Sequence, residues 1–162
     1  MFEDIERFQT PDAKPCIRTI SPSDAESTLY RARRIFGTSM ILQVIDAPAF
    51  VMGPPPNHLA TAGRMNPAGI SIFYGAFDAE TCLAEIRLPV GATAFTASFQ
   101  LVRPITVLDF TVLDNAVHRV SLLDPAFDHV SEQWAFLSHF HDEIGHPILE
   151  HEEVLEFIPT QV

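Results

Sequence analysis

Three residues in one short stretch have the chemical types of a site for a phosphorylated ligand. Arg64, Tyr74 and Glu85 follow one another at intervals of ten and eleven residues within residues 63–87. A guanidinium makes planar, bidentate contacts with phosphate, and an aromatic ring can stack on a ring-bearing ligand. A carboxylate can stabilise a cation that forms on that ligand. Brought together, the three side chains would grip such a ligand and help to break one of its bonds.

The elements predicted around these residues form a strand–turn–helix unit. Asn66 lies with the arginine in a loop that is punctuated by glycine and proline. Residues 70–74 predict a short buried strand. Asp78 has the side chain of a helix N-cap, and the helix predicted over 79–87 carries Glu85 on its apolar side. Because an unpaired buried carboxylate is costly, this residue needs a partner or a ligand.

The rest of the chain predicts strands and helices without a strict β–α–β rhythm, which is typical of the α+β class. Three consecutive prolines make residues 53–66 a loop. The apolar residues 40–52, interrupted by Asp46 and Pro48, give no clear assignment. The other predicted elements are strands over 28–35, 93–103 and 105–110, and a helix over 131–144 with Ser131 as N-cap and Trp134, Leu137, Phe140 and Ile144 facing inward.

Composition indicates one globular domain behind an N-terminal arm. The chain has 162 residues and is 47% hydrophobic, which is enough to bury a core. Residues 1–27 are polar and interrupted by prolines, so we expect an arm there and a domain over 28–162. Cys16 and Cys82 form no Cys-x-x-Cys pair, and they predict neither a disulfide scaffold nor a zinc site.

The charge of the chain limits its partners. The formal net charge is −11 at pH 7, and such a surface repels nucleic-acid backbones. An anionic nucleotide can still bind where arginines concentrate positive potential. No apolar run suits a membrane span, and the acidic start is unlike a secretory signal. We therefore expect no nucleic acid, no membrane and a cytoplasmic location.

Histidines near the end of the chain raise the question of a metal site. His139 and His141 would point about 200° apart on a helix, so they do not form a chelating pair. Helical ligand pairs prefer a spacing of four residues. Together with His146 and His151 they are more simply exposed helix histidines, and we expect no metal.

Residues 63–87 resemble the core motif of the RES domain family, whose name records an arginine, a glutamate and a serine. Residues 30–33, Tyr-Arg-Ala-Arg, are similar to the family's first arginine motif. Residues 53–56, Gly-Pro-Pro-Pro, match the proline-rich approach to the second, and residues 157–162 are similar to a segment that precedes the serine motif. The resemblance covers residues 28–162.

This resemblance implies an ADP-ribosyltransferase-like α+β fold, with a mixed sheet and flanking helices, whose substrate is NAD. Several members of the family are toxins that destroy NAD, some by phosphorolysis, and have a cognate Xre-like antitoxin. The implied residues are Glu85, Arg64 and Tyr74 for catalysis, and Arg31, Tyr30 and Asn66 for binding. Glu85 would stabilise the oxocarbenium character of the ribose as the nicotinamide leaves. Asn66 has an equal case for a structural role in its turn.

Spacing alone favours a different interpretation of the same residues. Arg64 would then cap a helix, Tyr74 would lie in the core, and Glu85 would pair with Arg87 or another arginine. The resemblance reverses that preference.

One departure from the family bears on activity. The chain stops at Val162, before the serine motif, and neither Ser131 nor Ser138 matches that serine. We therefore expect the isolated chain to bind NAD and to cleave it poorly or not at all. The first hypothesis is a toxin that consumes NAD by phosphorolysis or ADP-ribosyl transfer. The alternative is an inactive RES-derived module that binds a nucleotide or a protein. The acceptor, a homo-oligomer and an antitoxin partner stay open.

Overall fold

A computed structural model describes residues 14–112, 123, 125 and 127–145. The chain divides into two compact units, Ser21–Pro104 and a second unit made of Met1–Ile20 with Ile105–Val162. In chain order the elements are β1 (Ile17–Ile20), β2 (Thr28–Arg34), α1 (Gly37–Asp46), α2 (Pro48–Met52), α3 (Ala79–Glu85), β3 (Ala94–Gln100), β4 (Ile105–Leu108) and α4 (Phe127–Gly145). Short 3-10 turns occur at Ala25–Ser27, Asn57–Leu59 and Phe110–Val112.

The unit Ser21–Pro104 is built on an antiparallel ribbon of β2 and β3, in a register that runs from Thr28↔Gln100 to Arg34↔Ala94. One face of β3 carries Phe95, Ala97 and Phe99, which pack against the buried cluster Val44, Val51 and Met52. Helices α1 and α2 therefore cover this face of the ribbon. The strand predicted over 28–35 is confirmed as β2.

Residues 40–52, which had no assignment, form two helices separated at Ala47. Pro48 is the first residue of α2, where its missing N–H has no helical partner to lose. The residue before a proline is pushed away from helical geometry, and Ala47 has φ −141° and ψ 63°. A proline that interrupts an apolar run thus ends one helix and begins the next.

The short buried strand predicted over 70–74 is wrong. These residues are not part of a strand or ladder, and Ile70 and Tyr74 are 52% and 43% exposed. The segment is held chiefly by side chains: the Ser71 N–H donates to Asn57 Oδ1 (3.1 Å), and the Ser71 hydroxyl donates to the Pro55 carbonyl. Its one bridge to the ribbon joins Ala76 to Tyr30.

The second unit contains an antiparallel ribbon of β1 and β4, in the register Ile17↔Leu108 to Ile20↔Ile105. Buried Cys16 and Leu137 form its core, packed by Leu108, Phe110, Val112, Trp134 and Phe136. Residues 17–20 of the predicted arm are therefore a strand of this ribbon; residues 1–13 lie outside the described part. The start of the domain at residue 28 stays a prediction.

Helix α4 confirms the predicted inward face but not the predicted start. Leu137 is buried, and Phe140 stacks near Phe136 at 5.9 Å between ring centroids. Ser131 lies inside the helix, which begins at Phe127, so its assignment as N-cap is wrong. Asp128 in the first turn suits the positive end of the helix dipole. The helix begins one turn earlier than Ser131, so the serine has no helix start to cap.

The α+β class is confirmed, although the strands are arranged differently from the expected mixed sheet. The strands predicted over 93–103 and 105–110 are β3 and β4, yet each pairs in a different ribbon. Among the described residues the sheets are two separate two-stranded antiparallel ribbons. None of the helices described has the length and apolar character required to cross a bilayer.

Candidate functional site

Arg64 lies in a tight turn that is closed on itself. Gly63 N donates to the Asn66 carbonyl (2.9 Å), and Asn66 N donates back to the Gly63 carbonyl (3.2 Å). Arg64 and Met65 are the two central residues of this turn, and Arg64 is half-buried. The Gly/Pro punctuation of the sequence predicted a loop here, and the structure adds that the loop closes as a tight turn.

The Tyr74 hydroxyl is bonded to this turn. It donates to Asn66 Oδ1 (2.7 Å) and accepts from the Met65 N–H (3.0 Å). The Asn66 side chain, which is only 3% exposed, shares its amide hydrogens among the carbonyls of Thr61, Pro67 and Ile70 at 2.9–3.1 Å. All polar atoms of the Asn66 side chain are thus engaged within the loop.

Gly63 is a glycine because the turn has no room for a side chain there. A Cβ at this position would lie 2.8 Å from Tyr74 Oη and 2.8 Å from Asn66 Oδ1. Neither atom can retreat cheaply, since each is fixed by the hydrogen bonds of the same turn. The glycine, the tyrosine and the asparagine are one steric unit around Arg64.

Arg31 lies on β2 with part of its guanidinium buried and unsatisfied. Its Nη1 atom has no hydrogen-bond partner among the described residues, and its Cζ atom lies 5.2 Å from the centroid of the Phe73 ring. Burial lowers the pKa of Arg31, and the charge of Arg33 lowers it further, while the Cys82 thiol opposes the shift. Arg33 donates instead to the Val51 carbonyl.

Residues 73–76 connect Arg31 with the Arg64 turn. Phe73, under the Arg31 guanidinium, meets Phe99 edge-on at 4.9 Å, and the next residue, Tyr74, holds the turn. Ala76 exchanges two backbone hydrogen bonds with Tyr30, at 2.7 and 2.9 Å. The segment therefore lies along the free edge of β2.

Tyr30 is half-buried, and its carbonyl oxygen has a second donor. Besides the Ala76 N–H, the Cys82 thiol of α3 donates to this oxygen at 2.8 Å. Gly75 passes so close that a Cβ would lie 2.8 Å from the same oxygen. The backbone of Tyr30 is therefore fixed between the edge segment and α3.

Helix α3 begins as predicted, but it does not bury Glu85. Asp78 caps it, with Oδ1 accepting from Thr81 N at 2.7 Å, and this bond lowers the pKa of the Asp78 carboxyl. Cys82 is the buried residue of the helix, and half-buried Ala79 and Ile86 lie three residues before and four after it. Glu85 lies outside that stripe and is exposed, so the expectation of an apolar surrounding is wrong.

The end of α3 is held by Arg34. Its Nε and Nη2 atoms donate to the Ile86 carbonyl at 2.9 and 2.5 Å, and Nη2 also donates to the Arg87 carbonyl at 3.0 Å. Arg87 has a φ of 42°, a left-handed conformation that is common just past a helix end. A cation at the C-terminal carbonyls also suits the helix dipole.

Strand alternation separates Arg31 from Glu85. Arg31 pairs with Ala97 on the face covered by α1 and α2. Arg34 points from the opposite face, because side chains three positions apart on a strand lie on opposite sides, and it bonds to the end of α3. The structure therefore brings Arg64, Asn66 and Tyr74 together and links Arg31 to them through Phe73. Glu85 is not joined to them by any contact among the described residues; it is the exposed last residue of α3, whose end Arg34 holds.

Two structural contributors were not predicted. Phe73 lies beneath the Arg31 guanidinium, and Arg34 holds the helix that carries Glu85. The alternation of residues 30–34 was a signal for Arg34, since it places that arginine on the same face as Tyr30. No local signal identified Phe73.

His139 and His141 of α4 have separate contacts. His139 is exposed, with Nε2 3.9 Å from Glu143 Oε1, and His141 stacks on Phe110 at 5.5 Å between ring centroids. Within the described ranges, no group of three or more ligand-type side chains is placed to hold a metal ion. His146 and His151 lie outside the described residues.

Comparison with known proteins gives a family and no individual relative. A family model described as RES domain matches residues 28–149, well over half of the chain. The match begins at the first residue of β2 and includes all the candidate residues described above. No curated protein and no solved structure matches the chain. The resemblance stated from the motifs is thereby confirmed over residues 28–149; the similarity of residues 157–162 lies outside the match and stays a prediction.

Proposed function

This chain belongs to the RES domain family, and on that premise we propose that it binds and consumes NAD. The reaction is cleavage of the nicotinamide–ribose bond, by phosphorolysis or by ADP-ribosyl transfer. The biological role we propose is that of a cytoplasmic toxin with an Xre-like antitoxin partner. An ADP-ribosyltransferase-like arrangement of the whole domain is part of the same proposal.

The observation that carries this proposal is the Arg31 guanidinium. A buried N–H group without an acceptor is costly to the fold, and a second arginine, Arg33, lies two residues away on the same face. An anionic ligand such as the diphosphate of NAD would supply the missing acceptor and offset the charge. The chain as a whole carries a net charge of −11, so an anionic ligand is attracted to the place where these arginines concentrate positive charge.

The remaining candidates have complementary roles in the proposal. Arg64 binds the diphosphate or the incoming phosphate, and the Tyr30 ring stacks on the nicotinamide. Glu85 stabilises the positive charge that develops on the ribose. Glu85 is exposed and has no contact with Arg31 or the Arg64 turn among those described, so its role rests on the family resemblance.

Nicotinamide release and NAD binding by the purified chain test the proposal. We expect calorimetry to show binding, and Arg31→Met to weaken it by about tenfold or more, as for the loss of a charged hydrogen bond. Arg103→Met is the matched control, because Arg103 is an exposed arginine of the same unit. Equal affinities for wild type and Arg31→Met would remove Arg31 from the site.

A second candidate function is favoured by the exposure of Glu85. A carboxylate in water stabilises a developing cation far less than one in a dry pocket. The chain would then be a RES-derived module that binds a nucleotide without turnover. Binding without nicotinamide release in the presence of phosphate supports this candidate. Release that falls by about 10²-fold in Glu85→Gln, with KM little changed, supports the enzyme.

A further inference from the structure

We infer that Tyr74 and Asn66 serve the site by holding Arg64 in place rather than by touching the substrate. The inference rests on the proposed function, because Arg64 is there the residue that binds the phosphate groups. Tyr74 and Asn66 would then be positioning residues, and the turn at residues 63–66 would be the part of the site that is formed before any ligand arrives.

The hydrogen bonds of Tyr74 carry the first step. A phenol has one hydrogen to donate, and the Tyr74 hydroxyl donates it to Asn66 Oδ1 at 2.7 Å. The oxygen also accepts from the Met65 N–H at 3.0 Å. The hydroxyl therefore cannot donate to a ribose hydroxyl or a phosphate without giving up its bond to Asn66 Oδ1.

Burial of Asn66 carries the second step. Its side chain is enclosed and bonded to three carbonyls of its own loop. Losing the Tyr74 hydroxyl leaves Asn66 Oδ1 without this donor, which is unfavourable for a buried amide. The turn that orients Arg64 then loosens, and the guanidinium must be ordered when the ligand binds.

The tightness of Gly63 carries the third step. Contacts of 2.8 Å from its virtual Cβ to both Tyr74 Oη and Asn66 Oδ1 mean that the three residues fit one arrangement. A side chain whose only task were to stack on a ligand would not require a glycine beside its hydroxyl. The steric fit is therefore evidence for a preformed turn.

The ring and the hydroxyl of Tyr74 can be tested separately with Tyr74→Phe. A phenylalanine still stacks, so a stacking role predicts unchanged NAD affinity. A positioning role predicts that Tyr74→Phe weakens NAD binding, but by no more than the loss of about tenfold that we expect for Arg64→Ala. The double variant should then bind no more weakly than Arg64→Ala alone, since both changes remove the same interaction.

Ser71→Ala is the matched control. It removes a hydroxyl from the same segment, one that bonds to Pro55 and not to the turn. We expect Tyr74→Phe, but not Ser71→Ala, to speed amide exchange at Met65 and Asn66. If Tyr74→Phe does not fold, Asn66→Asp provides the same cycle with Arg64→Ala, because it keeps the acceptor for Tyr74 and removes the amide donors.

The outcomes separate this inference from the proposed function. If the losses of NAD affinity in Tyr74→Phe and Arg64→Ala multiply in the double variant, Tyr74 contacts the substrate directly. That result overturns this inference and leaves the proposed function standing. The inference is also overturned if Tyr74→Phe binds NAD as tightly as the wild type, or if amide exchange at Met65 and Asn66 is unchanged. If the wild-type chain neither binds nor consumes NAD, the proposed function falls and this role for Tyr74 falls with it.

Discussion

The two β-ribbons of this protein treat an arginine in opposite ways. On β1, Arg18 Nε donates to Asp109 Oδ2 at 2.7 Å, so the strand and the residue after β4 are joined by a paired charge. On β2, Arg31 has a buried Nη1 atom with no partner among the described residues. Of two arginines on similar strands, one thus pairs with a carboxylate, and the other keeps an N–H group without an acceptor in the described part of the chain.

The difference follows from what each strand packs against. Asp109 comes directly after β4, and its other oxygen accepts from the N–H and hydroxyl of Thr111, so this carboxylate is fixed in front of Arg18. Arg31 lies over the Phe73 ring, which offers only a π face, and nothing in the described part of the chain accepts from its Nη1 atom. A buried guanidinium without a carboxylate partner is therefore a reasonable place to look for a bound anion.

Arg18→Met should have the largest effect on stability. It leaves the Asp109 carboxylate, 16% exposed, without its guanidinium. We expect the free energy of unfolding to fall by about 1 kcal/mol, a modest value because Arg18 is itself 33% exposed and screened by water. Urea unfolding measures this change. NAD affinity should not change; a parallel loss of affinity would contradict the contrast between the ribbons.

Arg31→Met should not destabilise the fold. Methionine keeps the apolar stem and removes a guanidinium nitrogen for which the described residues supply no acceptor, so the replacement should be neutral or favourable. The lost contact with the Phe73 ring offsets part of that gain. We expect the urea midpoint to stay unchanged or to rise while NAD affinity falls. A loss of stability as large as that of Arg18→Met would mean that Arg31 is a structural residue.

Acid should weaken the β1–β4 region through Asp109. Burial raises the pKa of the Asp109 carboxyl, but hydrogen bonds from Thr111 and Arg18 outweigh burial and leave the pKa below its ordinary value. A group with a lowered pKa in the folded state contributes stability above its unfolded pKa, about 3.9, and loses that contribution as pH falls through the folded value.

This pH dependence can be measured against Asp109→Asn. The wild type should lose unfolding free energy more steeply than the variant as pH falls below about 4. At neutral pH the variant should be the less stable of the two. Curves that run parallel down to the lowest pH at which the protein folds would show that Asp109 is not the titrating group.

Local patterns predicted much of the scaffold of the candidate site. The Gly/Pro spacing predicted the loop that contains Arg64, Asp78 predicted the start of α3, and the apolar pattern predicted β2. Each of these depends on residues close in sequence, since a cap or a turn is completed within about four positions. The family followed from motifs of the same short range.

Tertiary structure decided what the side chains of the site do. Arg31, Arg33 and Arg34 have the same chemistry and lie within four positions. Yet Arg31 has an N–H without a partner in the described part of the chain, Arg33 bonds to Val51, and Arg34 holds the end of α3. These partners lie up to 52 residues away. Strand alternation predicts which face a side chain takes, but only long-range packing determines which acceptors are present on that face.

The same reason explains Glu85 and Tyr74. A helix of seven residues has an inward stripe wide enough for about two or three side chains, and the packing of Cys82 against Tyr30 decides which they are. That packing leaves Glu85 in water. The Tyr74 hydroxyl acquires its partners when the 63–66 turn closes eight residues earlier in the chain. Sequence determined which reactive groups the chain has, and packing determined which of them are held, exposed or unsatisfied.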